Sequence, residues 1–420
     1  MIDTRLQADY RALIKNTRTD RPACVDDDAP DPIRRTVLRY GASALGMLAA
    51  GKLLTACQTS RQPANLVNRP VTLKESAVEG LLLPEGFSAR VVARSHHPVV
   101  SGSGFLWHPA PDGGAVFPAD DGGWAYVSNS ETGGSLGGAS ALRFDATGTV
   151  IDAYPILAGT NYNCAGGPTP WGTWLSCEEV PDGRVWECDP FGRARARPLP
   201  ALGRFTHEAV AVDPGTLRLY MTEDQRNGRF YRFTPHHVAD GIPDLADGVL
   251  EVAEVTSLPD GDVQWRRIPD PSGTAQATRY QVARSTVFAG GEGAWYADGA
   301  VYFTTKHDNR VWAYDVARSR LTLIYDNAFL ADPLLTGVDN VTVSQQGTIY
   351  VAEDGGNMQI VAITPQQQVF PVAQFIGHER SEVTGPAFDA SGTRLYFSSQ
   401  RGSTGSSKDG VTFEVTGPFV

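Results

Sequence analysis

Five positions in this 420-residue chain place reactive side-chain types at a regular point of a recurring pattern. They are Cys164, Glu208, Glu292, Asp339 and Thr384, each ten to twelve residues ahead of the aromatic in an apolar run. Each opens a short strand and turn, as in Glu208-Ala209-Val210-Ala211-Val212-Asp213-Pro214. A second set, Glu131, Glu178, Glu179, Glu223, Glu353 and Asp354, ends the aromatic-led runs themselves. Carboxylates in this number suit a hard cation such as Ca2+, whereas a thiolate suits a softer or transition metal. If the first set meets at one point, a thiol and three carboxylates converge. Like charges at that range persist only when protonated or bound to cations. Taken singly, acidic residues at strand ends also make turns or solvate a rim. The residues themselves leave Cys164 and Cys177 open to a disulfide or to packing as small hydrophobes.

The elements that must position these residues follow from the same pattern. A Gly turn, an aromatic-led apolar strand and a polar or acidic end recur around Tyr126, Trp174, Tyr220, Tyr302, Tyr350 and Tyr396. The spacings are 48, 46, 82, 48 and 46 residues. A 40–50-residue repeat rich in short strands predicts an all-β, six-bladed β-propeller, and the alternation of apolar and polar residues excludes a helical solenoid. The innermost strands of such a fold line its axis, so the first set of residues is expected at the hub. The long interval reflects an insertion around 236–286. Its Pro-Asp-Gly and Pro-Asp-Pro-Ser-Gly stretches read as loops and short strands, forming either an elaborated blade or a lid.

The first residues read as an address. Arg34-Arg35-Thr36-Val37-Leu38 is a twin-arginine pattern, followed by a weakly apolar run from Tyr40 to Ala56 and by Leu54-Thr55-Ala56-Cys57, a lipobox. The run is short and rich in Gly and Ala for a membrane span. The expected organisation is a signal region over 1–56, a linker over 57–85 and the propeller over 86–420. Export by this route and lipidation of Cys57 place the mature protein in the periplasm, on the outer membrane, with no other membrane contact. Of the five cysteines, Cys24 leaves with the leader and Cys57 becomes the anchor; Cys164, Cys177 and Cys188 remain, so at least one is free or bound to something.

A net charge of −11 argues against a nucleic-acid face, because no basic stripe is available to neutralise phosphates. Walker, Gly-x-Ser-x-Gly and zinc-ribbon spacings are missing, which leaves nucleotide-driven and serine-hydrolase chemistry unsupported.

The block Asn163-Cys164-Ala165-Gly166-Gly167-Pro168-Thr169-Pro170-Trp171-Gly172-Thr173-Trp174-Leu175-Ser176-Cys177-Glu178-Glu179 resembles the PhoX-type alkaline phosphatase family. So do Gly203 to Pro214, Thr222-Glu223-Asp224 and Val338-Asp339-Asn340, and the chain reads as a short member. The resemblance implies a six-bladed propeller with an iron and calcium cluster (Fe3+ and Ca2+) at the hub and hydrolysis of phosphate monoesters. It implies a Cys and Glu208 as iron ligands, with Cys164 favoured over Cys177 because it sits at the strand-start position. Glu178, Glu179, Glu223, Glu292, Asp339 and Glu353 would hold calcium or bridge. Arg226, Lys306 and Arg401 follow the outgoing strands and are candidates to offset transition-state charge, with solvated rim charges as the plainer reading. His207 is either beside the cluster, a leaving-group acid, or, the plainer reading, simply packed. A small-molecule phosphoester and a monomeric protein complete the expectation. Its rivals are a lactonase-like hydrolase with one Ca2+ and a non-catalytic propeller that binds a partner.

Overall fold

In the computed structural model, residues 66–420 are described. The twin-arginine segment, the lipobox at Cys57 and the first part of the expected linker lie outside them. The described chain is almost entirely strand and turn, with a few short 3-10 turns. No helix among these residues is long and apolar enough to cross a membrane.

Each aromatic of the repeat lies on the second strand of an antiparallel sheet, whose four strands run outward from the axis. The innermost strands are Pro111–Pro118, Asn163–Pro168, His207–Val212, Gly291–Ala297, Val338–Val343 and Val383–Phe388. Each packs against the innermost strand of the next sheet, and Val383–Phe388 packs back on Pro111–Pro118. The ring is therefore closed, as a β-propeller requires. Closure is also staggered along the chain: Ser88–Arg94, from the start of the domain, pairs with Val411–Thr416 and completes the sheet that the C-terminal strands begin.

Two residue types make the ring. Aromatics on the second strands wedge adjacent sheets apart, as where Tyr126 stacks on Tyr396 with centroids 4.9 Å apart. Near the axis the sheets converge, and only glycine fits. A Cβ on Gly167 would lie 1.7 Å from the Val210 carbonyl oxygen of the next inner strand, and one on Gly293 would lie 2.6 Å from the Val341 nitrogen. This convergence leaves only about 20 Å³ of space on the axis beneath the hub, lined by Gly113, Gly166, Gly293, Gly385 and their neighbours. That is room for about one water, so the inner strands nearly close the axis below the hub.

One sequence expectation is revised, and one open alternative is decided. The linker expected over 57–85 is structured from Val67 onward. Leu81–Pro84 pairs with the outer strand Gln368–Phe375, Leu73–Glu75 adds beyond it, and Val67–Asn68 pairs in parallel with the same outer strand. Leu81 and Leu83 are buried while Leu82 is not, the alternation of a strand covering an otherwise open edge. The 236–286 insertion is an elaborated blade. Gly248–Val255 is the fourth strand of its sheet, and Gly261–Arg267 pairs both with it and with Arg320–Asp326 of the following sheet, sewing the two together.

Candidate metal centre

At the mouth of the ring each inner strand carries one extra residue relative to its partner. The ladder pairs Pro111 with Ser130 and then Gly114 with Ser128; likewise His207 with Glu223 and then Val210 with Met221. The same slip occurs at Asn163, Gly291 and Val338. A bulge re-aims the side chain inside it. Here those side chains are Asp112, Cys164, Glu208, Glu292 and Asp339, the second residue of each inner strand. In the last sheet the slip comes one residue later, after Thr384, which stays in the ladder and donates its hydroxyl to the Pro111 carbonyl. Thr384 is thus a strap across the seam of the ring.

A second tier comes from the residue just after each second strand: Glu131, Glu179, Asp224, Lys306, Asp354 and Gln400. Strand side chains alternate, so the residue immediately before each of these faces the other way. This accounts for three expected ligands that the structure does not bring to the hub. Glu178 accepts hydrogen bonds from Trp186 Nε1 and the Asn161 amide, at 3.0 and 3.1 Å. Glu223 accepts from the Tyr231 hydroxyl and from Arg279, at 2.9 and 2.8 Å. Glu353 accepts from the Thr336 and Gln359 amides, at 2.7 and 3.0 Å. These carboxylates hold sheets and loops together.

Among the described residues, those that converge form three groups, each offering ligand atoms within 4.8 Å of one another: Cys164, Glu179 and Glu208; Glu208, Glu292 and Asp339; and Asp112, Glu131 and Glu382. Glu208 belongs to two of them. It is fully buried, and neither carboxylate oxygen has a hydrogen-bond partner. A buried carboxylate with both oxygens unmatched is costly unless something cationic meets it. Burial, reinforced by Glu292, Glu179 and Asp339, raises its pKa well above the carboxylate range. Burial likewise pushes Asp112 up to about 8, with Glu131 adding to it, and Glu292 up to about 8 against the pull of Lys306. The Cys164 thiol is raised by burial and by Asp112 and Glu208. Groups buried this way keep their protons unless a cation takes their place, and a donor set of one thiol with many carboxylates suits both a soft-ligand and a hard-ligand ion.

Two cations answer them from one side. Lys306 Nζ lies 3.0 Å from Glu292 Oε1 and 3.5 Å from Asp354 Oδ2. Arg401 Nη1 donates to Glu382 Oε1 at 2.9 Å, and its other terminal nitrogen is 3.9 Å from Asp354 Oδ1. Arg226, the third expected cation, is exposed and forms no ion pair with a described residue. His207 stacks on Phe205 with centroids 3.6 Å apart, and its Nε2 meets the Gly203 carbonyl oxygen. Burial lowers its pKa to about 3, so it is a neutral packing residue. Cys164, Cys177 and Cys188 are all free. Cys177 lies in the apolar layer with Leu175, Val185 and Met221, leaving Cys164 as the one thiol at the hub.

Asp112 and Glu382 were not among the sequence candidates. Asp112 stands fourteen residues before Tyr126, just outside the ten-to-twelve window, yet Pro111-Asp112-Gly113-Gly114 carries the same strand-start signature. Glu382 precedes its inner strand and leaves no repeat signal.

Fold and site together define a closed β-propeller with a one-sided acidic hub. Residues 133–322, which carry Cys164, Glu179, Glu208 and Glu292, match the family model described as alkaline phosphatase PhoX. The resemblance to the PhoX family is therefore shown over that segment. Among solved structures, Pseudomonas fluorescens PhoX in complex with vanadate, a transition state analogue, superposes with a TM-score of 0.65 at 18% identity, covering 84% of this chain and 98% of that one. At that identity the likeness is one of fold. XC5397 from Xanthomonas campestris, a gluconolactonase, gives a TM-score of 0.41 at 13% identity over 86% of this chain and 99% of that one, too distant to argue from. No curated protein matches the chain.

Proposed function

We propose that this protein is a metal-dependent phosphatase acting on phosphate monoesters at the hub. The observation that carries the reading is Glu208, which lies in the segment that matches the PhoX family: it is fully buried, unpartnered at both oxygens and shared by two convergent ligand groups. Cys164, Glu179 and Glu208 would hold iron(III), and Glu208, Glu292 and Asp339, with Asp112, Glu131 and Glu382, would hold calcium. Such ions supply Lewis-acid charge for phosphoryl oxygens. Lys306 and Arg401 supply the remaining positive charge from the chain, oriented by Glu292, Glu382 and Asp354 toward one side of the hub. A lactonase-like site with one calcium is the weaker reading, since it gives Cys164 no role. The protein acts as a monomer after twin-arginine export, anchored in the periplasm through lipidated Cys57.

The test is phosphate release from a panel of monoesters by protein loaded with iron and calcium, with and without a chelator. Release that the chelator abolishes supports the reading. A fully loaded protein that releases phosphate from no monoester overturns it and leaves a binding propeller.

A further inference from the structure

The mouth of the hub has two unlike sides. Lys306 and Arg401 stand on one. On the other, the loops that carry Glu131, Glu179 and Asp224 are overlaid by two exposed tyrosines, Tyr162 and Tyr280, which are 45% and 50% exposed. Tyr162 is the more telling. It lies two residues before Cys164 and adopts φ +45°, a left-handed backbone rare for a bulky side chain. Both its backbone groups are held: its amide donates to the Thr132 carbonyl at 3.0 Å, and its carbonyl accepts from the Glu179 amide at 2.8 Å. Its ring lies over Gly133, where an added Cβ would come within 2.6 Å of the ring edge. The chain thus accepts a strained conformation and a side-chain-free neighbour to hold an exposed aromatic ring over Gly133, on the loops that carry Glu131 and Glu179. Strain kept in place by surrounding bonds clusters where a side chain has to stand for function. Tyr280 is fixed one loop further round, where Asn227 donates to its hydroxyl at 3.0 Å and Arg279 lies over its ring at 5.0 Å.

We infer that Tyr162, with Tyr280 on the next loop, is the specificity platform for the organic group of the ester, and that the preferred substrates are monoesters of aromatic or other planar alcohols rather than of small polyols. This rests on the phosphatase reading above. In it, the phosphate faces Lys306 and Arg401 while the ring of the leaving alcohol stacks on Tyr162. Aromatic stacking of this kind is worth about a tenfold preference.

The test uses non-hydrolysable ligands, so that binding is read apart from turnover. Phenylphosphonate and methylphosphonate are titrated into the metal-loaded protein by calorimetry, beside kcat/KM for phenyl phosphate and glycerol phosphate. The wild type is expected to favour the phenyl member of each pair about tenfold. Tyr162→Asn removes the ring while tolerating the left-handed backbone, and is expected to abolish most of that preference without weakening methylphosphonate; Tyr162→Phe should retain it. An unchanged preference in Tyr162→Asn, or a wild type that binds both phosphonates equally, overturns the proposal while leaving the phosphatase reading intact. If no monoester is turned over, the phosphatase reading itself fails and the platform falls with it.

Discussion

Removing the metals should turn the hub into a pH-dependent fault in the fold. Glu292, ordinarily at 4.5, sits at about 8 in the metal-free protein, and Asp112, ordinarily at 3.8, also at about 8, each chiefly because burial penalises its charge. Between pH 5 and 8 the metal-free folded state therefore keeps protons that the unfolded chain has already released. Stability is full below the unfolded values and falls as pH rises toward 8. Each retained proton sets a slope of about 1.4 kcal/mol per pH unit. Glu208 and Asp339, also raised by burial, act in the same direction. The metal-free protein should thus lose about 3–4 kcal/mol for each such carboxyl between pH 5 and 8, about 7 kcal/mol for Glu292 and Asp112 together. With metals bound the same carboxylates are ionised ligands, and the slope flattens or reverses because binding strengthens as protons leave. Denaturant unfolding of chelated and metal-loaded protein across that range reads both slopes. A chelated protein whose stability is flat or rises from pH 5 to 8 would refute the reasoning.

Three further outcomes follow from particular contacts. Arg279→Ala should destabilise by about 3–5 kcal/mol by stranding the buried Glu223, yet leave the metal content measured by elemental analysis unchanged. Cys164→Ser should remove any thiolate-to-metal absorption band, whereas Cys177→Ser should keep the band and cost about 1–3 kcal/mol in unfolding experiments by burying a hydroxyl in an apolar layer. Gly167→Ala should destabilise by about 2–3 kcal/mol or more, seen as a lowered unfolding midpoint, because its methyl meets the Val210 carbonyl across the seam of the ring.

The fold was legible because each sheet is one turn of the same repeat. A tyrosine or tryptophan is needed at each wedge between sheets, and that need survives in the spacing of Tyr126, Trp174, Tyr220, Tyr302, Tyr350 and Tyr396. The strand-start residues were legible for the same reason. What escaped was local geometry. Glu178-Glu179, Glu223-Asp224 and Glu353-Asp354 look alike as strings, but strand alternation sends the first member of each pair into the sheet and the second to the mouth. Asp112 was displaced from the window by a hairpin two residues longer than the longest of the others. Glu382 depends on a loop that no repeat encodes. Tyr162 stands out only once its backbone conformation and its perch over Gly133 are known.

The central claim is that Glu208 joins two metal sites on which phosphoester hydrolysis depends. The most direct measurement is the metal content of Glu208→Gln, by elemental analysis of the folded variant, alongside its rate of phosphate release. Loss of bound metal together with at least a hundredfold fall in kcat/KM, about 2.7 kcal/mol of transition-state stabilisation, is the predicted result. A variant that keeps its full metal complement and its turnover would contradict the account.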